Sequence, residues 1–278
     1  MRPSWLALAG LLCTAALAAA QQPPQGQAPP AGSRPPVAPP PAVTLDPRNP
    51  LDAHLMRWEK EMKAVQTLVV QAQRTEKNKV FGYTDKYVGE AKYMKLPVGS
   101  SGQTENLASL YMRKEGQPTQ FEHFICTGTH LYQFLPQQKE IRVYQLPPPK
   151  QGQVGDDSFL SFLFGMKAEE AKRRYELKLV KEDQYYIYVE ILPRLPQDKA
   201  DFARARLVLN KDSFLPRQLW FEQANGDEVT WDLPRVQSGV QLDRKEFVAP
   251  QPPQGWKLVQ PPRTSPDVPP RVIRQNQP

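Results

Sequence analysis

The dipeptide Asn225-Gly226 constrains the fold of this chain more than any other stretch. Two β-prone runs, residues 217–223 and 227–233, flank it, and Asn-Gly between such runs is the strongest short hairpin signal. A two-residue type I′ turn there sets Trp220 opposite Trp231 and Glu222 opposite Val229. The other face then pairs Leu219 with Asp232 and Phe221 with Thr230. Aromatic surface on both faces of a sheet needs cover on one side and something to hold on the other. The plainer alternative is two core tryptophans in an ordinary antiparallel sheet.

The rest of the chain supplies partners for that hairpin. Period-two runs predict strands over residues 68–76, 87–96, 107–114, 120–126, 129–135 and 140–146, then 175–181, 184–192 and 206–210. Pro136 to Lys139 would turn the last hairpin of the first group. So many short strands with short turns predict one large antiparallel sheet, curled because wide open sheets rarely stay flat. Ahead of it, Asn49 can cap a helix with Pro50 in its first turn. Leu51, Leu55, Trp58, Met62, Val65 and Val69 form its apolar stripe, which packs on the sheet. Between the strand groups, Asp156 or Asp157 can cap a helix that holds Phe159, Leu160, Phe162, Leu163, Phe164 and Met166. It is apolar nearly all round, so it is either a core helix or a cover lying across the sheet. An amphipathic turn follows over residues 167–174, where Glu169 and Glu170 can pair with Arg173 and Arg174.

The ends read differently. Residues 1–20 have a basic start, an apolar run and Ala18-Ala19-Ala20, the pattern of a cleavable Sec-type signal peptide. This predicts an exported, periplasmic protein with Cys126 as its single remaining cysteine and no internal disulfide. Residues 21–48 are a proline-rich spacer expected to be disordered, residues 49–260 one domain, and residues 261–278 a second proline-rich disordered tail. The formal charge of +7 is interspersed with acidic residues and forms no basic block with aromatics, so nucleic-acid binding is not expected. A monomer is expected.

A search for chemistry finds little. Histidine occurs at His54, His123 and His130 only, and there is no HExxH, GxSxG, CxxC or phosphate-binding glycine loop. His123 and Cys126 should point to opposite faces of one strand, with His130 beyond the Gly128 turn. Asp198 and Asp201 fall in a predicted loop. Neither an enzyme nor a metal or other cofactor is expected.

The order of elements resembles the LolA-like periplasmic carriers of outer-membrane lipoproteins, over about residues 51–259. Three segments carry it: the helix and first strand of residues 51–76, the run ICTGTHLYQFLP at 125–136, and the close formed by Asn225-Gly226, Phe247 and Pro252-Pro253-Gln254-Gly255. FLFGMKAEEAKRRY and YYIYVEILPR are also similar to an exported planctomycete-type subgroup with this fold. The resemblance implies an α+β, mainly β fold: an incomplete β-barrel with an N-terminal helix and a helical lid. Its apolar concave face would hold lipoprotein acyl chains or another amphiphile. Trp220 and Trp231, or Leu219 and Phe221 if the faces are reversed, would then line the cavity with Leu207, Leu209, Tyr186 and Tyr188. Phe159 to Met166 would form the lid. Carriers have an Arg-Pro after the second strand, the Arg hydrogen-bonding the lid shut; here Lys95-Leu96-Pro97 puts Leu96 in its place. A non-enzymatic envelope sensor or scaffold, binding a protein partner with the same fold, is the alternative.

Overall fold

The structure, a computed structural model, describes residues 44–98, 103–146 and 167–261. The proposed signal peptide, most of the spacer, the apolar run holding Phe159 to Met166, and the tail from residue 262 lie outside the described residues.

Helix α1 spans Pro50–Ala64 and starts where the local chemistry dictates. The Asn49 Oδ1 accepts from the Leu51 and Asp52 backbone N–H groups at 3.0 and 3.3 Å. Leu55, Trp58 and Met62 are buried along one side. The apolar stripe does not carry the helix to Val69. Val65 is already extended and Val69 lies on the first strand, its side chain on the opposite face from Leu68 and Val70. The run Thr67-Leu68-Val69-Val70 favours a strand, where β-branched residues pack well.

Twelve strands then form one sheet. They are β1 (Thr67–Lys77), β2 (Thr84–Val98), β3 (Gln103–Lys114), β4 (Gln117–Cys126), β5 (His130–Leu135) and β6 (Glu140–Gln145), then β7 (Tyr175–Glu182), β8 (Tyr186–Pro193), β9 (Arg204–Asn210), β10 (Pro216–Glu222), β11 (Glu228–Ser238) and β12 (Lys257–Val259). Their order is β12-β6-β5-β4-β3-β2-β1-β11-β10-β9-β8-β7, so two antiparallel meanders join at β1 and β11 and the sheet stays unclosed. The short β12, not expected from sequence, adds to β6 in parallel. Among the described residues two short helices follow α1, α2 (Ala168–Arg174) before β7 and α3 (Pro196–Asp201) after β8, with a 3-10 turn at Arg244–Phe247. This is the expected mainly β architecture, a curled sheet forming an incomplete barrel.

The curl is visible in contacts that skip strands. On the face against α1, here the inner face, Arg74 of β1 reaches Glu122 of β4 over β2 and β3. Gly89 lies beneath that path: a Cβ there would collide with the Tyr111 carbonyl oxygen and with Met112 on β3. The core under α1 joins Leu55, Trp58 and Met62 to side chains from β1 to β3 and from β7 to β11. The sheet therefore wraps the helix.

The β10–β11 hairpin sits where predicted, but in another register. Leu219 lies opposite Trp231, Phe221 opposite Val229 and Trp220 opposite Thr230. Asn225-Gly226 is not a two-residue turn. Gln223 N–H donates to the Asp227 carbonyl at 2.8 Å, enclosing three residues, with Gly226 in the left-handed region at φ 84°. One added residue shifts the pairing by one place, and side chains alternate faces along a strand. Asp227 explains the longer loop. Its carboxylate accepts from Lys79 N–H at 2.9 Å and from Asn78 Nδ2 at 3.0 Å, tying the hairpin to the β1–β2 turn.

Two further expectations need correction. Glu170 does pair with Arg173 at 2.8 Å, but Arg174 turns inward and pairs with Asp198, both side chains being almost fully buried. Asp198 and Asp201 lie on α3, not in a loop. Leu96 packs with Met94, Leu107 and Phe247 on the outer face, away from α1.

Candidate functional site

The inner face divides into two parts. Under α1 lie Leu207 and Leu209 of β9, Leu219 and Phe221 of β10, and Trp231 of β11, all buried in the core with Trp58 and Met62. These five expected wall residues do come together, but they face the protein's own helix. The indole N–H of Trp231 is buried without a hydrogen-bond partner among the described residues.

Trp220, Tyr186 and Tyr188 are on the outer face. Trp220 donates its indole N–H to Glu228 Oε2 at 3.3 Å and is flanked by the Arg204 and Arg206 guanidinium groups at 5.1 and 5.8 Å. Tyr188 donates to Asp183 at 3.0 Å. A cavity wall shared by Trp220 and Trp231 is therefore ruled out by the register.

Beyond α1, the inner face of β3–β6 carries a second apolar floor. Phe124, Leu131 and Tyr144 are buried, and Leu110, Cys126 and Leu146 are partly buried against them. Gln133 is the polar group in this floor, and it accepts from the Tyr144 hydroxyl at 3.3 Å. Both chain ends that flank residues 147–166 are anchored beside the inner face. Leu146 belongs to the floor, and α2 docks on α1, where Glu59 accepts from Ala168 N–H at 2.8 Å and Lys172 pairs with Asp52 at 2.8 Å.

The floor meets the core under α1 through Leu110, and a charged belt lies further along the same strands. Arg74 donates Nη1 and Nη2 to the two Glu122 oxygens at 2.9 and 2.6 Å, and its Nε lies 2.6 Å from Glu76 Oε1. The guanidinium sits 4.4 Å from the Tyr87 ring centre and 5.1 Å from that of Trp231. Burial works against the Arg74 charge, but Glu122 and Glu76 outweigh it and raise its pKa. Burial pushes Glu76 up to about 8 against the pull of Arg74, with Glu122 and Asp85 adding to the rise. Fork-to-carboxylate pairing of this kind is geometrically specific, which suits a fixed polar end to the apolar face.

The belt was absent from the sequence expectations, although a signal existed. Leu68, Val70, Ala72, Arg74 and Glu76 share one phase of β1, so two charges follow three apolar residues on the side that faces inward. The floor was likewise missed: Phe124, Leu131 and Tyr144 fall on three separate strands, and it is the pairing register of β4, β5 and β6 that joins them.

The sparse nucleophiles are placed for packing. His123 stacks on Phe134 with ring centres 4.4 Å apart, and burial lowers its pKa. Cys126 points to the other face, donates to the Asn106 carbonyl at 3.4 Å, and has its thiol pKa raised by burial. A neutral thiol is a poor nucleophile and metal ligand. Among the described residues no group of three or more His, Cys, Asp or Glu side chains could hold a metal ion. No helix among them is long and apolar enough to cross a membrane.

No family model matches the chain, and no curated protein matches it. Solved structures do. A conserved protein from Thermus thermophilus is similar at 12% identity and a TM-score of 0.45, over 75% of this chain and 97% of that one. A LolA superfamily protein from Nitrosomonas europaea is similar at 11% identity and a TM-score of 0.32, over 71% and 97%. MucB of Pseudomonas aeruginosa, in complex with MucA, is similar at 13% identity and a TM-score of 0.40, over 70% of this chain and 61% of that one. These likenesses are distant. A helix cradled by a curled, unclosed sheet is nevertheless the arrangement that the sequence resemblance to LolA-like carriers implies.

Proposed function

We propose that this protein is a non-catalytic periplasmic binding protein that shelters acyl chains of a lipoprotein, or of another amphiphile, on the inner face of β3–β6. The observation that supports this reading is the apolar floor of Leu110, Phe124, Cys126, Leu131, Tyr144 and Leu146 beside the Arg74–Glu76–Glu122 belt. An acyl chain gains roughly 0.8 kcal/mol for each CH₂ kept from water, so an aqueous crossing requires such a surface. The belt would meet the polar end of the ligand while the floor takes its chain. Phe124, Leu131 and Tyr144 are buried, so loading requires the floor to open. The wall is thus Leu110 to Leu146 rather than the tryptophan hairpin, and the lid of Phe159 to Met166 remains part of the proposal from sequence alone.

The experiment is titration of a fluorescent acylated peptide into the protein. Saturable binding is expected, weakened at least tenfold by Leu110→Asn with Leu146→Asn, two partly buried positions where folding should survive. Tyr185→Ser, on the outer side, should bind like the parent. Absence of binding by the folded parent would sink this reading. A protein partner is then favoured, since α1 already fills the inner face under β7–β11 with Leu55, Trp58 and Met62.

A further inference from the structure

The C-terminal strap covers only part of the outer face. Its anchors are Phe247 on Met94 and Leu107, and Trp256 on Phe121 and Phe134, all against β2–β5. The outer face of β8–β10 instead keeps an aromatic strip open. Tyr185 is 61% exposed, and Tyr186, Tyr188 and Trp220 are half-buried. The rings of Tyr185 and Tyr186 are 6.3 Å apart, and those of Tyr186 and Tyr188 are 6.5 Å apart at 77°. Register places Trp220 two strands across and one side-chain row along from Tyr188, roughly 12 Å at ordinary sheet spacings. Charges of both signs meet the strip: Lys181 lies 4.3 Å over the Tyr188 ring and Arg204 5.1 Å over that of Trp220, and Arg204 pairs with Glu222 at 3.1 Å. Such a surface has no net sign to recruit a charged ligand. It fits an uncharged chain with flat apolar rings, and grooves lined by aromatic side chains are how polyproline II segments are bound.

The chain carries such a segment. Residues 21–43 hold one charged residue, Arg34, and place prolines at Pro23, Pro29, Pro35 and Pro41. Polyproline II has three residues per turn, so these four prolines, six residues apart, lie along one ridge. At about 3.1 Å per residue the segment spans roughly 70 Å, ample to cross the sheet. It starts on the inner side near the β7 edge and rounds that edge to reach the strip. The described chain begins at Thr44, with Leu45 against the core, and one turn into α1 His54 bonds Glu182 at 2.8 Å, next to the turn that holds Tyr185. The other proline-containing end, residues 262–278, leaves after β12, at the opposite edge of the sheet.

We propose that the outer aromatic strip of Tyr185, Tyr186, Tyr188 and Trp220 docks the chain's own residues 21–43 as a polyproline II helix. Tethering supplies an effective concentration on the order of millimolar, so the weak affinity usual for such segments suffices. The segment then lies along the domain instead of holding it at a distance, and a competing proline-rich partner could displace it.

Tyrosine nitration with tetranitromethane, read by peptide mass spectrometry, tests this on the chain from Gln21. Replacing Pro23, Pro29, Pro35 and Pro41 together by Ser should raise nitration at Tyr185 and Tyr186 at least threefold while leaving Tyr111 unchanged. A synthetic peptide of residues 21–43, added to that variant, should restore protection, and Trp220→Ser should abolish the restoration. Equal nitration in parent and variant, with no protection by the peptide, would overturn the proposal. Equal protection by a peptide of residues 262–278 would overturn the assignment of the occupant.

Discussion

Arg74 on β1 holds Glu122 on β4 through two parallel hydrogen bonds of 2.9 and 2.6 Å, although two strands lie between them. In a flat sheet three strand spacings separate such residues by about 14 Å, beyond the reach of the pair. The bond is therefore a signature of the curl and a clasp upon it. Arg74→Ala leaves Glu76 and Glu122 without their cation on a largely dry face, and a loss of about 3–5 kcal/mol is expected in urea unfolding. Arg74→Met combined with Glu76→Gln and Glu122→Leu removes all three charges and should cost clearly less. Equal losses in the two variants would mean that the three charges do not act as a buried unit.

Glu76 gives stability a pH dependence of defined sign. Its folded value of about 8 lies above the ordinary value of 4.5 because burial disfavours the charged form. Between those two pH values the folded chain keeps a proton that the unfolded chain releases, so this group's contribution to stability falls as pH rises through the window and levels off above it. Glu76→Gln should flatten that slope. The check is the urea midpoint at pH 5 and pH 8 for parent and variant; an unchanged slope in Glu76→Gln would remove Glu76 as its source.

The hairpin register predicts opposite fates for its two tryptophans. Trp231 is 7% exposed and packs with the core under α1, whereas Trp220 is on the outer face. Trp231→Ala should cost about 3–5 kcal/mol, the usual penalty for emptying a large core site. Trp220→Ala should cost about 1 kcal/mol, as an ordinary partly exposed substitution does. Comparable losses on chemical unfolding would contradict a pairing that puts them on different faces.

Local chemistry carried much of the architecture. Asn49 and Pro50 fixed the start of α1 because a cap is made within three residues. Alternation located eleven of the strands, and only the three-residue β12, formed by the edge of β6, went unannounced. The turn Pro136 to Lys139 and the hairpin at Asn225-Gly226 were legible for the same reason.

Which way the residues face was not legible. A type I′ turn and a three-residue loop differ by one residue, and Asp227 decided between them through bonds to Asn78 and Lys79, about 150 positions away in the chain. That single step sent Trp220 outward and Trp231 inward. Similarly, Arg174 left the expected Glu170 for Asp198, and Arg74 found Glu122, because each buried charge takes the partner that the packed structure brings to it. The sequence by itself determined where helices and strands form, since those choices rest on neighbours a few residues apart. Only the tertiary structure decided which face of the sheet is inside, since that depends on a helix and strands from distant parts of the chain closing over one side.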